Sequence, residues 1–211
     1  MNDASTDGHQ QLSKHRIEAL VDGIFAVAMT LLVIDLRLPE HARLASEAAL
    51  QGALHSLIPN LISWIISFFV LAIFWMAHHR LYSYVRHADP SLLWLTIVAL
   101  AGASLLPFAS AVNSQFASLT GQAIYSGVMA LMAVALLLMA RHIYHHPALC
   151  AHPLTLGAYR ATQVRSIGVI LIATTAIAIS AVQPGTANFA FFLMMFLRPL
   201  GARVERRYQT A

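Results

Sequence analysis

One carboxylate lies inside the first apolar stretch of this 211-residue chain. Asp22 comes six residues after Arg16, and residues 23–34, which follow it, carry no charge until Asp35 and Arg37. A carboxylate within an apolar helix costs free energy unless it is paired or hydrogen-bonded. Two interpretations are open: Asp22 is a helix cap or an interhelical acceptor, or its helix lines a polar path.

Helical spacing separates this carboxylate from an apolar stripe on the same segment. At 3.6 residues per turn, Val27, Leu31 and Ile34 share one face, and Thr30 lies about 60° to one side. Asp22 lies about 140° away from Val27 around the helix. We therefore expect one face of the helix to pack against neighbours while another surrounds an axis.

Histidines are the other side chains with possible chemistry. The chain has 11 histidines, including the adjacent pairs at 78–79 and 145–146. Adjacent helical side chains diverge by about 100°, so such a pair does not easily share one ion. The sequence has no His-Glu-x-x-His motif and no cysteine pair, so we predict no metal site and no cofactor. The single cysteine, Cys150, also excludes an internal disulfide framework.

The composition indicates an integral membrane protein. Hydrophobic residues make up 58% of the chain and charged residues only 10%, whereas soluble domains carry about 25% charged residues. The net charge of +4 is typical of basic membrane-protein loops, and no nucleic-acid motif accompanies it. We therefore predict the lipid bilayer as a partner and exclude nucleic acid.

Apolar runs separated by Pro, Gly and charged residues predict an all-α fold with six transmembrane helices. We place them at about 15–38, 53–82, 91–112, 119–144 and 164–182, with the last ending near residue 197. Pro39 ends the first helix, and residues 183–185 form a turn before the last. The last two helices are short, so a re-entrant hairpin remains an alternative. The predicted units are a tail at 1–14, a six-helix membrane domain at 15–200 and a basic tail at 201–211.

The basic residues predict the orientation of these helices. Six spans place both termini on one side, together with eleven of the 13 lysines and arginines. Only Arg37 and Arg43 lie on the other side. Because basic loops stay in the cytoplasm, we expect both termini to be cytoplasmic.

Four short segments, in order on three predicted helices, carry a resemblance to a known family. Residues 16–39 read R-x-x-x-L-V-D-G-I-F-A-V-A-M-T-L-L-V-I-D-L-R-L-P, residues 74–82 read F-W-M-A-H-H-R-L-Y, and residues 91–95 and 105–110 read S-L-L-W-L and L-L-P-F-A-S. They resemble the first three helices of the transmembrane protein 175 family, whose bacterial members are six-helix potassium-permeable channels. The family hallmark is R-x-x-x-F-S-D. This chain has Leu20 and Val21 in place of Phe and Ser, and Thr96 where Asn is common.

The resemblance implies a homotetramer in which the first helix of each copy lines a central pore. The motif occurs once, so one chain supplies one six-helix unit. The family's apolar constriction corresponds to Val27 and the next layers to Leu31 and Ile34. The family's threonine three residues after the constriction corresponds to Thr30. These are the positions that helical spacing places on or beside one stripe.

The resemblance also implies that Trp75 and His78 bond to the motif near Arg16 and Asp22. The alternative is an interfacial aromatic residue with a cytoplasmic histidine. Asp35 is expected either to form a ring of negative charge at the outer mouth or to pair with Arg37 or the arginine at position 43.

The implied function is passive potassium conduction across the bacterial cytoplasmic membrane, by a channel rather than an enzyme. A secondary transporter or proton-coupled carrier that titrates Asp22 is the alternative, although neither inverted repeats nor broken helices are visible. A histidine-dependent membrane enzyme is a weaker alternative, because acidic residues are scarce within the spans.

Overall fold

The computed structural model describes residues 14–38, 46–183 and 186–208, and in these ranges the chain is almost entirely helical. The seven α-helices are α1 Lys14–Leu31, α2 Glu47–Ser56, α3 Ile58–Tyr82, α4 Pro90–Phe116, α5 Leu119–His145, α6 Leu156–Val182 and α7 Met194–Arg207. Short 3-10 helices follow at Leu32–Asp35, Pro147–Leu149 and Ala187–Leu193. The predicted all-α class is confirmed.

Five of these helical segments are long and apolar enough to cross a membrane. They are Lys14–Asp35, Ile58–Tyr82, Pro90–Phe116, Leu119–His145 and Leu156–Val182. The sixth predicted span corresponds to the 3-10 helix Ala187–Leu193 and the α7 that continues it. Among the described residues this last segment does not reach the length and hydropathy of the other five. The chain is therefore a multi-pass membrane protein with five long apolar spans and a sixth helical segment.

Several predicted boundaries are wrong. The segment predicted as a loop after the first span contains α2, which begins at Glu47 with the side chain of Ser46 capping the backbone N–H of Ala49. α4 continues four residues beyond Val112, to Phe116, and ends where Ala117 adopts the left-handed conformation with φ of 34°. The predicted end at Pro39, the position of Arg43 and most of the 183–185 turn lie outside the described residues.

α6 begins eight residues earlier than predicted. Thr155 accepts the backbone N–H of Ala158 and starts the helix, although polar side chains at 160–166 interrupt the apolar pattern. The resulting helix of 27 residues is long enough to span a membrane, so the concern that this arm is short does not apply to it.

α7 does not end before Arg198 but runs through Pro199 to Arg207, so the predicted tail boundary at residue 201 falls within a helix. The backbone of α7 approaches α6 closely at two glycines. A Cβ on Gly157 would lie 2.9 Å from the carbonyl oxygen of Glu205, and a Cβ on Gly201 would overlap the guanidinium of Arg165. This packing continues the helix past a proline that would otherwise end it.

The helices alternate in direction, which brings the basic residues together. α3 ends beside the start of α4, and the loop after α3 meets the loop after α5, since the backbone N–H of Arg86 donates to Leu149 and that of Ala151 donates to Tyr84. The start of α6 contacts the end of α7 at Gly157. One end of the molecule, called the basic end below, therefore carries the starts of α1, α4 and α6 and the ends of α3, α5 and α7.

Candidate functional site: the first helix and its polar contacts

α1 presents three faces with different surroundings. One face is buried against α3 and α4 and belongs to the main apolar core. Its members are Ile17, Val21, Phe25 and Ala28, and Leu32 of the following 3-10 helix continues it. Val21 is only 2% exposed, so the residue that stands in place of a serine is an apolar core residue here.

The second face is an apolar stripe that the described residues leave exposed. Val27 is 56% exposed, Leu31 42% and Ile34 46%. A shallow groove of about 410 Å³ runs along this stripe, lined by Ala19, Leu20, Gly23, Ile24, Val27, Ala28, Leu31 and Ser104. Apolar side chains in line on a helix of a membrane protein face either lipid or another protein surface.

Thr30 lies beside this stripe with its hydroxyl proton already engaged. The Oγ1 of Thr30 donates to the carbonyl oxygen of Val27 at 2.8 Å. The lone pairs of the oxygen consequently point away from the helix backbone. At this exposed position, Thr30 is an acceptor, which is the polarity that a cation requires.

The third face of α1 carries Asp22 and meets α3. The indole Nε1 of Trp75 donates to Oδ1 of Asp22 at 2.8 Å, while the ring of Trp75 stacks on His79 with the centroids 5.9 Å apart. Asp22 is exposed in the single chain. The structure thus pairs Asp22 with an interhelical donor, and the wider role of this contact stays a prediction.

His78 and Arg16 do not join this hydrogen bond. The ring of His78 is 2% exposed and stacks on Tyr82, with the centroids 4.5 Å apart. Among the described residues, its Nε2 has no hydrogen-bond partner. Arg16 is exposed, and no hydrogen bond joins it to Asp22, Trp75 or His78.

Asp35 closes the 3-10 helix that follows α1 and is half-buried. The predicted alternative paired it with Arg37. In the structure the Nε of Arg37 donates instead to the carbonyl oxygen of Ile34 at 2.8 Å. The other proposed partner, at position 43, lies outside the described residues.

Sequence reasoning missed three buried polar contacts between helices. The hydroxyl of Tyr82 lies 2.6 Å from Oγ1 of Thr96, which in turn donates to the carbonyl of Leu92. Thr96 therefore accepts from Tyr82 at the position where the family commonly has Asn. The second is centred on Ser67, whose hydroxyl is hydrogen-bonded to those of Ser110 and Tyr125. The third is centred on Asn113, whose side-chain amide donates to Gln122 and Asn188. Polar residues inside apolar spans are the sequence signal that would have identified them.

A contact between a carboxylate and an imidazole ties two helices at the basic end. The Oδ1 of Asp89 accepts the backbone N–H of Leu92 at the start of α4, and its Oδ2 lies 2.8 Å from Nε2 of His142 in α5. Burial raises the pKa of Asp89, but the hydrogen bonds from Leu92 and His142 and the nearby histidine charges outweigh it. The net result is a pKa below the usual range for an aspartate.

The arrangement as a whole is that of a membrane protein whose polar side chains connect helices. Within the described ranges, no group of three or more His, Cys, Asp and Glu side chains is placed to hold a metal ion. The exposed surface of interest lies along α1, where the apolar stripe and the acceptor oxygen of Thr30 face outward. These features define a multi-helix membrane protein with an incompletely buried first helix.

Comparisons with known proteins identify the family. The family model described as Endosomal/lysosomal potassium channel TMEM175 matches residues 16–107. A potassium channel of Streptomyces collinus is 32% identical over 155 residues, which cover 71% of this chain and 74% of that protein. The mouse endosomal/lysosomal proton channel TMEM175 is 34% identical over 122 residues, which cover 56% of this chain and 24% of the mouse protein. The chain belongs to the TMEM175 family.

A solved structure shares the fold. The crystal structure of a lysosomal potassium-selective channel TMEM175 homolog from Chamaesiphon minutus superposes with a TM-score of 0.73 at 22% sequence identity. The match covers 89% of this chain and 97% of that one.

Proposed function

We propose that this protein is a potassium-permeable cation channel that conducts passively across the bacterial cytoplasmic membrane. The observation that carries the proposal is the uncovered apolar stripe of Val27, Leu31 and Ile34 on the helix that matches the family model. The relative in Streptomyces collinus, which bears the name of a potassium channel, supports the choice of ion.

The proposed assembly is a homotetramer with α1 of each copy at the centre. Four stripes facing one axis would remove the exposed apolar surface from lipid and surround a conduction path. The groove beside Val27 and Leu31 gives each α1 room for an equivalent helix from a neighbouring copy. Gly23, which has nothing within 4 Å of the position of a Cβ, lets the neighbouring helices approach closely.

The pore would need only a few polar groups to select among ions. A ring of Val27 side chains forms an apolar neck that holds water weakly, with Leu31 and Ile34 extending it. The acceptor oxygen of Thr30 lies one turn from Val27 and replaces part of the lost hydration shell. Since potassium loses its water more readily than sodium does, this arrangement favours potassium. Asp35 at the outer end would concentrate cations.

The motif contacts would hold the pore helix at its cytoplasmic end. Trp75 anchors Asp22 to α3, and Arg16 and His78 lie within the same region of α1 and α3. The excess of basic residues at the basic end supports placing it, and therefore both termini, in the cytoplasm.

A flux assay on purified protein in liposomes tests this function. Under opposed potassium and sodium gradients, we expect the vesicle potential to follow the potassium gradient. A potential that follows an imposed proton gradient instead would support the carrier alternative, or a proton conductance like that in the name of the mouse relative.

Two variants test the pore assignment. We expect Val27→Ala to change the potassium flux at least several-fold, because a smaller side chain widens an apolar neck and wets it. Val33→Ala is the matched control, since Val33 is similarly exposed, at 52%, but lies in the 3-10 helix that follows α1 and does not line the groove beside Val27. Equal flux in the wild type and both variants would remove Val27 from the pore.

A further inference from the structure

A second groove opens at the basic end, away from the pore stripe. It has a volume of about 360 Å³ and lies between α3, α5, α6 and α7. Its walls are formed mainly by apolar side chains: Phe69, Ile73, Phe74, Met76, Ala77, Ala133, Leu136, Val169, Met194, Met195 and Leu197. Phe69 is 60% exposed and Met195 66%, so the groove is open along its length.

Three arginines from three different helices line the same groove. They are Arg80 near the end of α3, Arg165 in α6 and Arg198 in α7. The charges of Arg80 and Arg198 act on the Arg165 guanidinium, and Glu205 is the acidic residue that opposes them. Within the described ranges, none of the three forms an ion pair with a carboxylate. Three neighbouring cations without a paired anion are a poor arrangement for the protein alone.

The middle arginine is held in place while one of its donors is left unused. Gly201 has no side chain, and only this allows the guanidinium of Arg165 to lie against the backbone of α7. The Nε of Arg165 is buried, and among the described residues it has no hydrogen-bond acceptor. A buried donor without an acceptor costs free energy, which an acceptor from outside the chain that reaches this group would recover.

We propose that this groove binds an anionic phospholipid. The headgroup phosphate lies among Arg80, Arg165 and Arg198, and an acyl chain lies along the apolar wall from Ala77 toward Phe69. Guanidinium groups match phosphate oxygens in geometry and charge, and basic pockets between membrane helices bind anionic headgroups. The charge of the three arginines selects phospholipid over an uncharged ligand or a second copy of this basic chain. The site is separate from the pore helix, so it goes beyond the proposed conduction.

Lipid retention in detergent tests the site. Delipidated protein is incubated with equal amounts of phosphatidylglycerol and phosphatidylcholine that have identical acyl chains, repurified, and analysed by quantitative mass spectrometry of the retained lipid. We expect about fivefold more phosphatidylglycerol, in keeping with the attraction of one basic side chain for an anionic surface. An excess of glycerol phosphate distinguishes the lipid from a free phosphate: it should leave the retained lipid in place.

Arginine variants locate the lipid. Arg165→Gln should lower phosphatidylglycerol retention about fivefold, and Arg198→Gln, at an exposed position, provides the same test if the first variant misfolds. Arg160→Gln is the matched control on the same helix, because Arg160 donates to Gln163 and does not line the groove. Equal retention in all variants, no preference for phosphatidylglycerol, or full displacement by glycerol phosphate would overturn the proposal. So would efficient disulfide formation between copies carrying Met195→Cys in a Cys150→Ser background, since a second copy would then occupy the groove.

Discussion

Trp75 gives Asp22 a donor that a purely apolar neighbour would not. The indole Nε1 of Trp75 in α3 lies 2.8 Å from Oδ1 of Asp22 in α1. This contact is on the third face of α1, which lies between the buried face and the apolar stripe. It adds a polar link to the apolar packing of α1 against α3 and α4. Together they leave the stripe facing outward from the chain.

Replacing this donor should weaken the packing of α1. We expect Trp75→Phe to lower the free energy of unfolding by about 0.6 kcal/mol, the average contribution of a hydrogen bond between membrane helices. Thermal unfolding in detergent, followed by loss of the monodisperse elution peak, measures the change. Trp64→Phe is the matched control on the same helix, because the Nε1 of Trp64 is buried and has no acceptor among the described residues. If Trp64→Phe destabilised as much as Trp75→Phe, the loss would reflect the smaller ring and not the hydrogen bond.

The sequence predicts which face of a helix a residue occupies better than it predicts which residue of another helix it contacts. A helical wheel was sufficient to separate Asp22 from Val27, since the spacing of 3.6 residues per turn is fixed by the backbone. The acceptor role of Thr96 toward Tyr82 could not be derived, because residues 14 positions apart meet only through the angle between α3 and α4. The stacking of His78 on Tyr82, by contrast, follows from their i, i+4 spacing on α3, and the role of His78 in the motif contacts stays a prediction.

At the scale of elements, Asp89 at the basic end both caps one helix and contacts another. It caps the first turn of α4 through Leu92 and binds His142 near the end of α5. α4 and α5 form the most extensive helix pair in the molecule, and this carboxylate fixes their registration where the loops begin. The helix dipole at the start of α4 also favours a negative charge there.

The pKa of Asp89 gives this element a defined pH dependence. Because the folded-state pKa lies below the usual value of about 4, the ionised carboxylate stabilises the fold above that value, and this contribution is lost as the pH falls through the folded-state pKa. We expect Asp89→Asn, which keeps a capping oxygen, to lower stability at pH 7 by about 1 kcal/mol. Unfolding measured from pH 7 down to pH 3 should show the difference between wild type and variant shrinking with acid. A difference that stays constant over this range would exclude the charge of Asp89 as its cause.

The boundaries of elements depended on contacts that a single segment does not contain. The first span and α5 were predicted well, because their apolar runs end at charged residues or prolines. The predicted span begins at residue 164 and so leaves out residues 156–163. These residues lie within α6, where Thr162 donates to the carbonyl of Ala158 and Gln163 donates to Tyr159. α7 likewise passes Pro199 because Gly157 and Gly201 let it pack tightly on α6.

At the scale of the whole molecule, two exposed surfaces among the described residues differ in character. The stripe on α1 is apolar with one oxygen acceptor, whereas the groove at the basic end combines an apolar wall with three arginines. The first is suited to symmetrical contact with identical helices, and the second to an anion. An assembly that joined copies through the basic groove would place like charges together, so the stripe on α1 is the better surface for association.

Cross-linking tests this choice of surface. In a Cys150→Ser background, we expect a cysteine introduced by Val27→Cys to form covalent dimers with a short bismaleimide in most of the purified protein, because copies of α1 meet around one axis in the proposed tetramer. Burial raises the pKa of the native Cys150 thiol, and removing that residue leaves the introduced cysteine as the only thiol. Val182→Cys is the matched control, since Val182 is the most exposed large apolar residue, at 81%, and lies at the end of α6. Cross-linking at position 182 but not at position 27 would place α6, rather than α1, at the contact between copies and would end the assignment of Val27, Leu31 and Ile34 to a shared pore.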